Sequence, residues 1–264
     1  MEATEFDIYT ERLRSSLESL SYVIGLVTLG TTVDPTFRDE WSDHDFWVIT
    51  EAGAQDLLVQ DLSWLPDAHN IVITVSHGKY GRTLLYRNRH KIEFAVFDVD
   101  QAHKGKVQRY RILIDRGRIA ALIESIYQDT VQNAQPRKAT GDALENLCVL
   151  VWSACERHCR GEFLSARQYL DGFAVNQLLS LISSCDDKLA ESVGDVLDPR
   201  RRLETSSPSL AAEVLSLSNE PVPHGALHLL EIAERELKPN AATLSWEVVT
   251  MVRRWISEIV RDGS

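Results

Sequence analysis

The 264 residues are 44 % hydrophobic and 25 % charged, a globular composition with enough apolar material for one large or two ordinary domains. Acidic residues outnumber basic ones, 39 to 28, for a net charge of −11; phosphate backbones are bound by clustered Lys and Arg, so a nucleic-acid partner is not expected. The N-terminal MEATEFDIYTERLR lacks an apolar secretion core, no run approaches the roughly 20 apolar residues that span a membrane, and the four cysteines lack disulfide-framework spacing. A cytoplasmic protein with reduced thiols and no membrane partner is the expectation.

Ile8, Leu13, Leu17 and Leu20 recur at helical spacing, which predicts a helix over Phe6–Leu20. Val23–Leu29 is an apolar, partly β-branched run closed by Gly30: a buried strand ending in a turn. Residues 31–42 are polar and broken by Pro35, after which Asp43-His44-Asp45 opens a second strand, Phe46–Thr50. Gln55–Leu62 predicts a short helix stopped near Pro66, Ile71–Val75 a strand, His77–Gly81 a turn, and Arg82–Arg87 the returning strand. Arg89-His90 turns into the last predicted strand, Lys91–Asp98, KIEFAVFD. The pattern implies a small mixed or antiparallel sheet with helices on it, of α/β or α+β class.

Side chains two apart on a strand share a face, so Asp43 and Asp45 project side by side. Paired carboxylates at a strand start need neutralising, and hard oxygen ligands on one rigid element suit Mg²⁺, whose coordination substrate phosphates complete. Glu93, embedded in an apolar strand, also needs a partner. If its strand lies beside Phe46–Thr50, Glu93 completes an Asp43/Asp45/Glu93 triad, the set that two-metal phosphoryl or nucleotidyl transfer uses. A P-loop drops out, because Thr31-Thr32 stands where Gly-Lys-Ser/Thr would be needed, and neither Gly-x-Gly-x-x-Gly nor His-Glu-x-x-His occurs.

Residues 118–133 predict a helix, and VQNAQPRKATG (131–141) has linker character, which divides the chain into a catalytic domain, 1–135, and a helical domain, 136–264. Strand signals vanish beyond it. Helices are predicted over Asp142–Cys159, Glu162–Asp186, 209–217, 223–237 and 243–261, a helical bundle. Cys148, Cys155 and Cys159 share one helix face, which reads as small buried hydrophobes rather than zinc ligands.

Gly30-Thr31 after the first strand, Ser42-Asp43-His44-Asp45 at the second and Glu93 on a later one resemble the nucleotidyltransferase signature. Thr31 stands where the superfamily has Ser and keeps the hydroxyl. HCRGEFLSARQYLDGF (158–173), LDPRRRLE (197–204) and KIEFAVFD look like antibiotic nucleotidyltransferases, especially the lincosamide kind, nearly over the full length. The resemblance implies that Gly30, Thr31 and Ser42 touch nucleotide phosphates, Asp43 and Asp45 bind metal, and Glu93 is the third carboxylate. It would aim Arg167 at the triphosphate; an ion pair with Glu162 or Asp171 is the competing assignment. Arg200-Arg201-Arg202 reads as a solvated or ion-pairing cluster.

The expected activity is Mg²⁺-dependent transfer of a nucleoside monophosphate, AMP from ATP, to a hydroxyl of a small molecule, with pyrophosphate released. The acceptor would lie between the two domains; lincosamides, aminoglycosides and endogenous metabolites stay open. The resemblance also implies a homodimer. Two alternatives remain: transfer to a protein or tRNA end, as in toxin–antitoxin systems, and a catalytically silent nucleotide-binding scaffold.

Overall fold

The computed structural model describes residues 3–33, 38–134, 141–185, 198–239 and 245–262. Pro35, residues 135–140 of the expected linker, Asp186, Leu197 and the start of the last predicted helix at 243–244 lie outside them. The chain forms two compact units, Met1–Gln132 and Asn133–Ser264.

The first unit holds a six-stranded mixed sheet of order β3-β4-β5-β2-β1-β6. Its strands are β1 (Val23–Leu29), β2 (His44–Thr50), β3 (Ile71–His77), β4 (Gly81–Tyr86), β5 (Lys91–Phe97) and β6 (Tyr110–Asp115). All neighbours are antiparallel except β2 and β5, which run parallel at the centre. The chain reaches that parallel pairing through helix α2 (Gln55–Gln60) and the β3–β4 hairpin, which extends the sheet outward. β6 carries no prediction from the sequence: its apolar run, Ile112–Ile114, is short, with Arg111 and Asp115 beside it at the sheet edge.

Each face of the sheet packs on helix. Helix α1 (Ala3–Glu18) lays Tyr9, Leu13 and Leu17 on Val23, Leu26, Phe46, Val48, Ile92, Phe94 and Val96. The other face of β1 and β2, with Val27, Trp47 and Ile49, is covered by Ala102 of the short α3 (Val99–Ala102) and by Ile119, Leu122, Ile123 and Ile126 of α4 (Ile119–Ala134). Gly25 admits α4: a Cβ there would sit 2.8 Å from the Ile119 side chain. Alternation then decides the rest. With Phe46 and Val48 inward toward α1, Asp45 and Trp47 face the α4 side, and on β5 Glu93, Ala95 and Phe97 share that side.

The second unit is all helical around one apolar core. Leu144, Leu147, Cys148, Val151 and Cys155 of α5 (Gly141–Cys159) share that core with two later helices. These contribute Ala226, Leu229 and Leu230 from Val222–Leu237, and Val249, Val252 and Ile256 from Glu247–Asp262. Burial pushes the Cys148 and Cys155 thiols up to about 11 and about 12, so both remain protonated and inert at neutral pH. The segment predicted as one helix over Glu162–Asp186 is helical but changes winding. It runs as α6 (Phe163–Arg167), a π-helical stretch Gln168–Ala174, and α7 (Val175–Cys185). The Arg200 guanidinium donates to the carbonyls of Asp171 and Gly172, at the widened turns.

Candidate active site

The turn after β1 begins with Gly30 at φ +57°, a left-handed conformation that costs a side-chain-bearing residue about 1 kcal/mol or more. Gly30–Thr32 forms one 3₁₀ turn, and both threonines are buried. Thr32 Oγ1 donates to the Asp43 carbonyl at 3.3 Å and accepts from the Asp45 amide at 3.3 Å; Thr31 Oγ1 points at the same carbonyl, 3.5 Å away. The hydroxyls therefore fasten the backbone on either side of His44 to the glycine turn. Thr32 has no place in the site expected from the sequence. Its signal is adjacency alone, since Thr32 directly follows the Thr31 of the motif.

Ser42 closes a different loop. Its hydroxyl accepts from the Asp39 amide at 2.9 Å and donates to the Asp39 carboxylate at 3.0 Å, while the Trp41 amide binds the same carboxylate. This small turn delivers the chain into β2.

Asp45 and Glu93 are register partners across the parallel β2–β5 pair, and Asp43 lies two residues before Asp45 on the same side. Lys91, two before Glu93, joins them. Its Nζ lies 2.8 Å from Asp43 Oδ2 and 3.1 Å from Glu93 Oε1. Burial disfavours the ammonium, but the bonds to Asp43 and Glu93 outweigh that and raise its pKa. Lys91 is thus the partner that Glu93 requires. The sequence holds the signal, because Lys91-Ile92-Glu93 places Lys and Glu on one face at i, i+2. Glu93 is not embedded as its apolar neighbours suggest: both Lys91 and Glu93 side chains are 45 % exposed, so water screens the pair and its bond is worth about 1 kcal/mol or less.

Among the described residues no three His, Cys, Asp or Glu side chains stand together as a ready metal cluster. The donor chemistry nevertheless suits Mg²⁺: Asp43 and Asp45 offer hard carboxylate oxygens from one strand start, and an ammonium already occupies a cation position between Asp43 and Glu93.

The reverse face of the same strand start is built differently. His44 is fully buried and stacks on Phe6 with ring centroids 3.7 Å apart. Thr10 donates its hydroxyl proton to the Phe6 carbonyl at 3.0 Å, so its oxygen accepts from His44 Nε2 at 2.9 Å. His44 Nδ1 is then the acceptor of His90 Nε2–H, at 2.7 Å. Both imidazoles are neutral. Burial, with His90 alongside, drives the His44 pKa far down, and burial lowers that of His90 to about 4. The relay locks α1, β2 and the β4–β5 turn together behind the carboxylates.

On the carboxylate face α4 covers β1 and β2 but leaves β5 and β4 open. There lies a groove of about 740 Å³ lined by Asp45, Trp47, Glu93, Ala95, Phe97 and Lys104 among others. Its floor is aromatic and small: Trp47 meets Phe97 edge-on at 5.3 Å, and Ala95 lies between Trp47 and Gly81 in register.

Arg167 belongs to the second unit. Its guanidinium binds the Asp171 carboxylate at 3.5 Å and the carbonyls of Leu217 and Glu220, so its donors already serve the helical core. Asp171, rather than Glu162, is its ion-pair partner.

No protein-family model matches the chain, and no curated protein matches it. Among solved structures the chain is similar to an aminoglycoside 6-adenyltransferase from Bacillus subtilis, at 12 % identity and a TM-score of 0.41, over 95 % of this chain and 97 % of that one. It is also similar to a nucleotidyltransferase-like protein from Exiguobacterium sibiricum, at 12 % identity and a TM-score of 0.35, over 94 % and 79 % respectively.

Proposed function

We propose that this chain is a nucleotidyltransferase that moves AMP from ATP to a hydroxyl of a small molecule. The observation that carries this is the parallel register of Asp45 with Glu93, which sets two carboxylates side by side one residue pair from Asp43, next to the Gly30 turn. Asp43 and Asp45 would hold Mg²⁺, and the left-handed turn at Gly30, which carries no side chain, would let phosphate oxygens approach the backbone there. When bound, the ion would supply charge neutralisation for the triphosphate and the departing pyrophosphate.

The residues of the chain then do the following. Glu93 accepts the proton of the acceptor hydroxyl as its oxygen bonds to the α-phosphorus and the bond to pyrophosphate breaks. Lys91 offsets the repulsion among the acids, and its ammonium is the group that a cation must displace from Asp43. Thr32 and the buried His44 relay hold the strand start still, so that the carboxylates do not have to be ordered when the substrate arrives. Incubation with Mg²⁺, each of the four NTPs and a panel of hydroxyl acceptors should release pyrophosphate and add one nucleotidyl mass to the acceptor, with ATP preferred. Absence of pyrophosphate release with every NTP and acceptor, protein and tRNA ends included, would refute the proposal.

A further inference from the structure

Resting on the nucleotidyl-transfer proposal, we infer that the groove beyond Glu93 is the acceptor subsite, and that it takes a ring-bearing acceptor carrying an anionic group. The groove has two chemically distinct ends. At the N-terminal ends of β2 and β5 it begins with Asp45 and Glu93. From Glu93 to Phe97 the strand advances four residues, about 13 Å at the rise of an extended chain, and over that distance the floor is Trp47, Ala95 and Phe97. This is a surface for the face of a sugar or another ring. Lys104, just after α3, borders the remainder with Lys79 of the β3–β4 hairpin; Arg82, the register partner of Phe94, lies on the α1 side of the sheet.

The three cations are not equivalent. The Arg82 guanidinium is spent on the carbonyls of Lys79, Gly81 and Val59. Lys79 is held by Asp56 at 3.2 Å and by the Tyr80 hydroxyl at 2.8 Å. Lys104 has no side-chain partner among the described residues, so its ammonium is the cation left to meet a ligand. A hydroxyl delivered to Glu93 and an anion delivered to Lys104 satisfy both ends of the groove at once. A polycation is attracted at the acidic end only, and meets the unpaired ammonium of Lys104 at the other.

The recognised group is a carboxylate or a phosphate, and the test separates them. The full-length chain with MgATP is offered glucuronate, glucose 6-phosphate, glucose and kanamycin, with pyrophosphate release and acceptor mass as readouts. Binding of the same four probes without ATP is measured by calorimetry. One or both anionic sugars should exceed glucose in kcat/KM by roughly tenfold, the weight of one well-placed charge pair. Lys104→Glu should raise KM for the anionic sugar by a similar factor, leaving kcat and the KM for ATP in place. Ala95→Leu, which fills the floor, should abolish acceptor binding and leave ATP binding intact.

Preference for kanamycin, or a Lys104→Glu variant that changes ATP affinity instead of acceptor KM, overturns the subsite while transfer stands. Lys104-dependent binding of an anionic sugar with no transfer to any probe supports the subsite and counts against the transfer reaction. No binding of either anionic sugar overturns the subsite directly.

Discussion

The start of β2 has two faces that differ in almost every respect, although Asp43, His44 and Asp45 are consecutive. Toward α1, His44 is dry, stacked and hydrogen-bonded at both ring nitrogens. Toward the groove, Asp43 and Glu93 are partly wet and share one ammonium. Rigidity therefore comes from behind, and the proposed chemistry would take place in front. A half-exposed carboxylate can exchange its partner for a substrate at little cost, whereas a buried imidazole cannot lose its partner without leaving a desolvated polar atom.

The largest expected effect is on the front face. Asp45→Asn keeps shape and removes charge, and turnover should fall by about 10³-fold or more, equivalent to roughly 4 kcal/mol, with weakened metal–nucleotide binding. Steady-state kinetics with ATP titration measures it; near-wild-type turnover would separate Asp45 from the chemistry. Next comes Glu93→Gln, expected to lower kcat by about 10²- to 10³-fold while sparing nucleotide binding, if proton acceptance is its main work. The acidic limb of the pH–rate profile should vanish in the residual activity of that variant. Should Glu93→Gln retain turnover, Asp98 is the first replacement to examine, although it caps α3 and binds Gln55 and Gln101.

Behind the strand the effects should be on stability. His44→Leu strands the Thr10 and His90 partners and should cost about 2–4 kcal/mol in urea unfolding, with a smaller fall in kcat of the folded protein as the strand start loses its support. The pH dependence follows from the His44–His90 pair, both of whose pKa values are lowered by burial, and His90 sets the window. Its pKa falls from 6.5 in the unfolded chain to about 4 in the folded one, so between these values only the unfolded state takes up the proton. Stability is complete above about pH 6.5 and declines as pH drops toward 4. His90→Gln should flatten that decline relative to the parent; an unchanged slope would place the titrating groups elsewhere. The smallest effect is expected at Lys91→Met, about 1 kcal/mol or less, because the ion pairs it removes are screened.

The same contrast explains what the sequence reveals. The β-branched runs, their Gly and Arg-His turns and the alternation of KIEFAVFD locate five strands and set Asp45 and Glu93 on a common face. The partners behind them are not legible, because His44–His90 and Thr32–Asp45 join residues far apart in sequence or without any distinguishing type. Lys91 is legible by parity, once the face of Glu93 is taken seriously. The π-helical stretch is not: apolar spacing reports that Glu162–Asp186 is helical, while its winding is coupled to Arg200, a residue well outside the segment. Likewise β6 is recruited by the exposed edge of β1 rather than by its own weak pattern.

Whether Asp43 and Asp45 form a metal–nucleotide site is tested most directly by calorimetric titration of ATP into the full-length chain with excess Mg²⁺, repeated after EDTA. Saturable binding that collapses on chelation, and that is likewise lost in Asp45→Asn, is the expected result. Equal ATP affinity with and without the metal would contradict it.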